Sequence, residues 1–488
     1  MPILDEVRIT ELPGADPLAG PELIPLVQGG VTKSRSAQNL VLDGGLQAHL
    51  DAADPHTQYL KESEYEAHRS REDLLKQATL SLDFANNKYE VYEGPVNSLT
   101  QMPFNTALDF TRASSATART ATGKIQEVLT DEQRRVGNRE GLLIEEARTN
   151  LITYSEQFDN ADWVKNGTSV SANSTNSPDD TSSADKIINN SNNGGHFIDQ
   201  PMTLTGGNTY TFSMYLKPAE LSHVCLFIGT IDKGAVFDLQ NKTAKESDDF
   251  LGADSFKITE AKNGFSRCEV TVTVGSTGTY AIRLYLLPSY TFAVRNYTGN
   301  GTDGVIAWGT QIEKGSFPTS YIPTAGTQVT RAADDCVRVL GDEFNPDEGS
   351  VYWEGEVLGA SNYSGLFSIA TDNDNRLVDI NIDGNTRSIQ FSTRLNGDYI
   401  VPNEALISSP VGVNRVCVSY SKDRILGYAN GVKMVDVSNF GGVLPPATDL
   451  GVGKRPWAAA YASSKTEAAA YIPKFLSEVE LNAITGGN

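Results

Sequence analysis

The sequence has little of what metal and redox chemistry needs: 488 residues hold four cysteines and five histidines. Cys225, Cys268, Cys336 and Cys417 are widely spaced and form no C-x-x-C pair, which excludes a zinc knuckle and a thioredoxin-like couple. Three of them stand in strand-like runs and are expected as buried free thiols. His49, His56, His68, His196 and His223 never pair at ligand spacing. No HExxH, P-loop or GxSxG occurs. The one GxGxxG match, at Gly299, Gly301 and Gly304, fails on context, because a dinucleotide fingerprint requires a helix after it and the strand-like "VIAWGTQI" follows instead. No apolar run approaches the roughly 20 residues of a membrane-spanning helix. The opening "MPILDEVRIT" has neither the basic nor the apolar part of an export signal, so the sequence predicts a protein that stays soluble in the cytosol where it is made. Basic residues are also scarce, 40 against 61 acidic, for a net charge of −21. That excess opposes binding to nucleic acid or to an anionic membrane, both of which attract basic patches.

What is present is a β-rich pattern on a chain long enough for two to four domains. Hydrophobic residues, at 39%, are few for a compact enzyme, whereas 43 glycines and many Asn, Ser and Thr suit short strands joined by tight turns. From Gly141 to Arg331, runs such as "TYTFSMYLK", "HVCLFIGTI", "RCEVTVTV" and "YAIRLYLL" are bounded by turn residues, which predicts an antiparallel sandwich, a jelly roll. From Asp342 onward strands recur in "GSVYWEGEV", "RLVDINID" and "VNRVCVSYS". Asn430-Gly431 marks a hairpin in "ILGYANGVKM". A last strand and a short helix follow, the helix starting near Ser477 with Glu480 three residues on as its capping box.

Several of these segments carry resemblances. "GLLIEEARTNL", "GNTYTFSMYLKP", "NGFSRCEVTVTV" and "AWGTQIEKGSFPTSYIPT", in that order, resemble the carbohydrate-binding-module-like domain of bacteriophage tail-fibre and other virion surface proteins. The strands after Asp342 resemble the concanavalin A-like, laminin-G-like domains that end such fibres. "ELIPLVQGGVTKSRS", read as a hairpin turning at Gly29-Gly30, resembles an N-terminal attachment module, and "DPHTQYL" resembles a box found beside trimeric stalks. A jelly-roll fold is also kept as a mere spacer, so the resemblance implies sugar-binding ancestry and not sugar binding itself.

The expected architecture is therefore mainly β: an attachment module over 1–45, a neck over 46–80 with a helix from about Leu60 to Ala78, a β-rich connector over 81–140, the jelly roll over 141–331, and a concanavalin A-like domain over 332–488. "FTRASSAT" and, in muted form, "VTRAADD" flank the jelly roll, which accords with an inserted domain whose flanks pack together. Small modules that cannot bury a core alone predict a homotrimer.

Candidate ligand-binding residues follow from placement. Trp457, after Lys454, Arg455 and Pro456, stands on a loop beyond a glycine-rich strand end, where an indole can stack on a sugar ring and the cations can meet acidic groups. Trp163 follows a turn and is a second candidate. Trp308 and Trp353 lie within alternating strands and are expected in cores. Asp372, Asp374, Asp379 and Asp383 sit on turns, and the first two are weak calcium candidates. His56, one per chain of a trimer, is another weak metal candidate, against the simpler reading that no metal binds. Together with the fibre resemblance these residues predict a virion protein without cofactor or catalytic residues. It would attach through its N-terminus to other virion proteins and adsorb to a bacterial surface polysaccharide. The alternatives are a structural adaptor or capsid decoration and, as the enzyme reading, a depolymerase, which would need two carboxyls flanking a sugar cleft. The short internal repeats of a depolymerase β-helix are absent.

Overall fold

A computed structural model describes residues 23–28, 31–36, 70–93, 99–136, 141–229, 233–246, 252–360, 363–408 and 410–486. The chain is mainly β, with antiparallel sheets throughout and α-helices only at Arg71–Leu75, Phe104–Ala107 and Glu478–Thr485 among the described residues. None of these is long and apolar enough to cross a membrane. Near the N-terminus, Leu23–Gln28 pairs antiparallel with Val31–Ser36, the hairpin expected around Gly29-Gly30.

The first sandwich packs two six-stranded sheets. One runs in the order Val164–Asn166, Phe197–Leu204, Gly278–Leu287, His223–Ile228, Lys233–Asp238, Thr243–Glu246. The other runs Thr168–Thr175, Ala184–Asn189, Gly304–Lys314, Thr209–Pro218, Ser266–Thr273, Ser255–Glu260. Period-2 alternation sends Phe212 and Met214, Val270 and Val272, Ile282 and Leu284 into one shared core, which is the physical reason these runs become paired strands. The Gly304 strand follows the GxGxxG match directly, so no helix N-terminus is there to receive a phosphate.

The second sandwich is built from both ends of the chain. Its larger sheet centres on Glu348–Ala360 and Ala462–Ile472, and the latter strand also pairs with Leu80–Asp83 and with Gly141–Ile144. Its seven-stranded partner runs Asp398–Ser408, Ser388–Leu395, Arg376–Asp383, Tyr363–Ala370, Asp449–Val452, Asp335–Val339, Asp109–Thr111. Trp353, Leu82, Leu142, Ile380 and Phe391 share the core between them. Two expected boundaries are thereby corrected. Gly141–Ile144 is a strand of the second sandwich and not the opening of the jelly roll, because "GLLI" buries all four residues against Ala462–Ile472. The described part of the neck is a five-residue helix capped by a Ser70–Asp73 box. Its Leu74, together with Ala78, packs on Leu481 and Ile484 of the C-terminal helix, so residues 70–80 are part of this sandwich. Of the expected Leu60–Ala78 helix, residues 76–78 instead leave the helix in a turn, and residues 60–69, like "DPHTQYL", lie outside the described residues.

Where the sandwiches join, the muted sequence repeat acquires a physical role. Arg112, from the first copy, places Nη1 3.0 Å from Asp334 Oδ1, and Arg134 bonds the other Asp334 oxygen. Arg134 also meets Glu145 at 2.6 Å, and Arg331, from the second copy, approaches Glu145 at 3.5 Å. Ser320 of the jelly roll donates its N–H and its Oγ–H to the Glu145 carboxylate at 2.8 and 2.7 Å. All five charged residues are buried. Burial alone would raise the Glu145 carboxyl, but Arg134 and Arg331, with the Ser320 hydrogen bonds, hold it down to about 2.

Candidate functional site

On the strand Arg376–Asp383, Val378, Ile380 and Ile382 face the core, so alternation turns Asp379, Asn381 and Asp383 to the opposite face of the sheet. Asp379 is 0% exposed and heavily bonded. It accepts from Ser368 Oγ at 2.8 Å, from Arg376 Nη1 at 3.1 Å and from Arg455 Nη2 at 2.8 Å. One carboxylate thus serves two guanidiniums, and a net positive charge is left at this spot on a strongly acidic chain. Asn381 and Gln390 are register partners beside it, and the side-chain oxygen of each is buried without a donor.

The loop carrying Arg455 is shaped by Gly453, whose φ of +69° places it in the left-handed region and whose missing Cβ leaves room for Ile144. Arg455 accepts a turn-closing hydrogen bond from the Ala458 N–H at 3.2 Å, and Trp457 sits half-buried in that turn. The indole is flanked by cations, Arg455 Cζ 5.8 Å and Arg376 Cζ 5.9 Å from its ring centre. Arg376 reaches a second ring, Tyr399, at 5.5 Å, and Arg394 lies over that ring at 5.2 Å. Tyr399, 47% exposed, and Trp457 therefore form an aromatic pair with a guanidinium shared between them.

The sequence-derived candidates divide. Trp457 and Arg455 meet at this surface. Lys454 does not: it is 5% exposed, with Nζ 2.8 and 2.7 Å from the two Asp335 oxygens, because the strand-end geometry turns it inward as an ion-pair pin. Burial, reinforced by Asp335, pushes the neighbouring Tyr461 hydroxyl up to about 12. Trp163 is also corrected. It is 1% exposed, packs on Phe158 and donates Nε1–H to the Tyr154 carbonyl at 3.0 Å, so the jelly-roll core and not a ligand takes its face. Asp372 spends Oδ1 on the N–H groups of Asp374 and Asn375, both at 2.8 Å, and Asp374 pairs with Arg394 at 3.3 Å. Both carboxylates are thus engaged in turn and ion-pair contacts. Among the described residues no group of three His, Cys, Asp or Glu could hold a metal ion, and His56 lies outside them. Trp308 and Trp353 are buried, as expected, and all four cysteines are buried free thiols.

Arg376, Arg394 and Tyr399 are the residues that sequence reading missed. The signal available was the spacing Arg376-x-x-Asp379 within an alternating strand and a tyrosine just after the Asn396-Gly397 turn. Neither says that a loop some 60 residues later closes over them.

No protein-family model matches the chain, and no curated protein matches it. Among solved structures, the chain is similar to the CBM40 domain of the Ruminococcus gnavus IT-sialidase, with 16% identity, 29% of this chain and 84% of that one covered, and a TM-score of 0.26. It is similar to domain 4 of AbnA, a GH43 extracellular arabinanase from Geobacillus stearothermophilus, in complex with arabinotriose: 13% identity, 34% and 80% covered, TM-score 0.28. It is also similar to the heptameric SAP-like pentraxin of Limulus polyphemus: 17% identity, 30% and 75% covered, TM-score 0.24.

Proposed function

We propose that the chain is a non-enzymatic glycan-binding component of a phage tail fibre, which adsorbs the virion to an acidic polysaccharide on the bacterial surface. The observation that supports it is the half-buried Trp457 and exposed Tyr399 around Arg376, with more guanidinium than carboxylate at the site. Aromatic faces stack on the C–H faces of sugar rings, and guanidiniums pair bidentately with carboxylates. Locally positive charge on a chain of −21 keeps an anionic polymer at this surface and repels it elsewhere. The fibre is a homotrimer held on other virion proteins through residues 1–45, a reading supported by the "VQGG" hairpin and the "DPHTQYL" box. Light scattering of purified protein should give three times 52.7 kDa, and a monomer would remove the trimeric neck.

Replacing Trp457 by Ala tests the site. Competition with phage adsorption should fall about tenfold or more, as expected on losing an aromatic anchor of roughly 1.5–3 kcal/mol, while the melting temperature changes little. A drop of several degrees with adsorption intact would return Trp457 to a structural role and favour the adaptor reading. New reducing ends released from host polysaccharide would replace the binder with a depolymerase.

A further inference from the structure

A cleft of about 440 Å³ lies between the two sandwiches, and the Trp457 loop takes no part in its lining. Its walls differ in kind. On the jelly-roll side, Val270 and Val272 face the core, so alternation turns Glu269 to the outer face together with its register partner Lys257. On the other side, the end of Glu348–Ala360 and the turn before Val413–Ser421 present apolar side chains, Leu358 at 44% exposure and Val411 at 89%, with Pro410 beside them. Phe317 ties the walls together: the Arg148 Cζ lies 4.9 Å from its ring centre, and Gly359, lacking a Cβ, leaves room for the ring. Arg387 completes the lining from the hairpin that joins Arg376–Asp383 to Ser388–Leu395. Its φ of 50° lies in the left-handed region, where a turn ordinarily takes Gly or Asn, so an arginine is held there against a backbone cost. Among the described residues, neither the Arg387 guanidinium nor the Lys257 ammonium has a hydrogen bond or a close ion pair, and Glu269 leans instead to Arg267 at 4.0 Å. The cleft therefore sets two unmet, exposed cations beside an apolar wall, on a chain of −21.

We propose that this cleft binds an apolar carboxylate, an acid with a hydrocarbon body. The carboxylate is held by Arg387 and Lys257, one cation from each sandwich, and the body lies on Leu358, Pro410 and Val411. The volume is within the range of small-molecule pockets, which favour junctions between domains. A polysaccharide segment would turn hydroxyls toward side chains that offer them no partner, and an uncharged hydrocarbon would leave both cations unmet. Nothing here depends on the Trp457 surface.

Titration calorimetry of the full chain with octanoate, octanol and acetate tests this directly. Octanoate should bind at least about tenfold more tightly than octanol, the margin a charge-assisted hydrogen bond supplies, and at least about tenfold more tightly than acetate, which lacks the methylenes to bury. Arg387→Asn removes the charge and suits a left-handed residue better than arginine does, so it should weaken octanoate about tenfold or more without lowering the melting temperature. Leu358→Glu, at an exposed position on the apolar wall, should abolish octanoate binding by setting a carboxylate against the ligand's own. Trp457→Ala should leave octanoate binding unchanged. Octanoate no tighter than octanol or acetate, unchanged binding in Arg387→Asn or Leu358→Glu, loss of binding in Trp457→Ala, or no octanoate binding at tens of millimolar would overturn the proposal.

Discussion

Glu145 shows how much one buried charge decides here. It stands between Arg134 and Arg331 and accepts two hydrogen bonds from Ser320, so its removal leaves three buried guanidiniums in the joint facing Asp334 alone. Glu145→Gln should therefore cost about 3–5 kcal/mol, read as a lower urea midpoint at pH 7. The folded carboxyl titrates near 2, below its ordinary unfolded value, so the stability it supplies is complete above that unfolded value and is lost as pH falls toward 2. Wild-type protein should accordingly lose more stability than Glu145→Gln between pH 5 and about 3. Equal losses would show that the joint is not what acid attacks first.

Among the elements, the loop from Gly453 to Tyr461 links the second sandwich's assembly to the Trp457 surface. Its geometry depends on Gly453, where an added Cβ would strain a left-handed residue and stand 2.5 Å from the Ile144 Cβ. Ile144 belongs to the strand that arrives from before the jelly roll, so loop and strand must be accommodated together. Gly453→Ala should cost about 1–3 kcal/mol in melting experiments and also reduce adsorption by displacing Arg455 and Trp457. Full adsorption with a lowered melting point would show that the loop finds its conformation without the glycine. Other elements are locally determined. The Asn430-Gly431 hairpin takes two positive φ values, 47° and 79°, as a type I′ turn needs, and the C-terminal helix is closed by the Ser477–Glu480 box.

At the scale of the molecule, the second sandwich is completed by residues on both sides of the jelly roll. Leu80–Asp83 and Gly141–Ile144 pair with Ala462–Ile472, and Asp109–Thr111 pairs with Asp335–Val339. A fragment of residues 332–488 would expose the edges those strands cover and lose Leu82, Phe84 and Leu142 from its core. Such a fragment should be aggregated or unfolded by circular dichroism, whereas 70–486 should melt cooperatively. A soluble, folded 332–488 would show that the flanking strands merely decorate a self-sufficient domain.

The sequence alone determined the features whose causes are local. Alternation set the strands and the burial of Trp308 and Trp353, dipeptide chemistry set the Asn430-Gly431 turn, the capping box set the last helix, and the absence of ligand spacing agreed with four thiols buried as free cysteines. The turn that carries Trp457 was legible for the same reason. Tertiary structure alone decided the partners. That Lys454 turns inward to Asp335, that Asp379 is shared by Arg376 and Arg455, and that "GLLI" adds to a strand more than 300 residues later are pairings across sequence separations on which periodicity is silent. Trp163 was misjudged for this reason too: a turn in the sequence reports a change of chain direction, and only packing settles which side of the turn the core lies on.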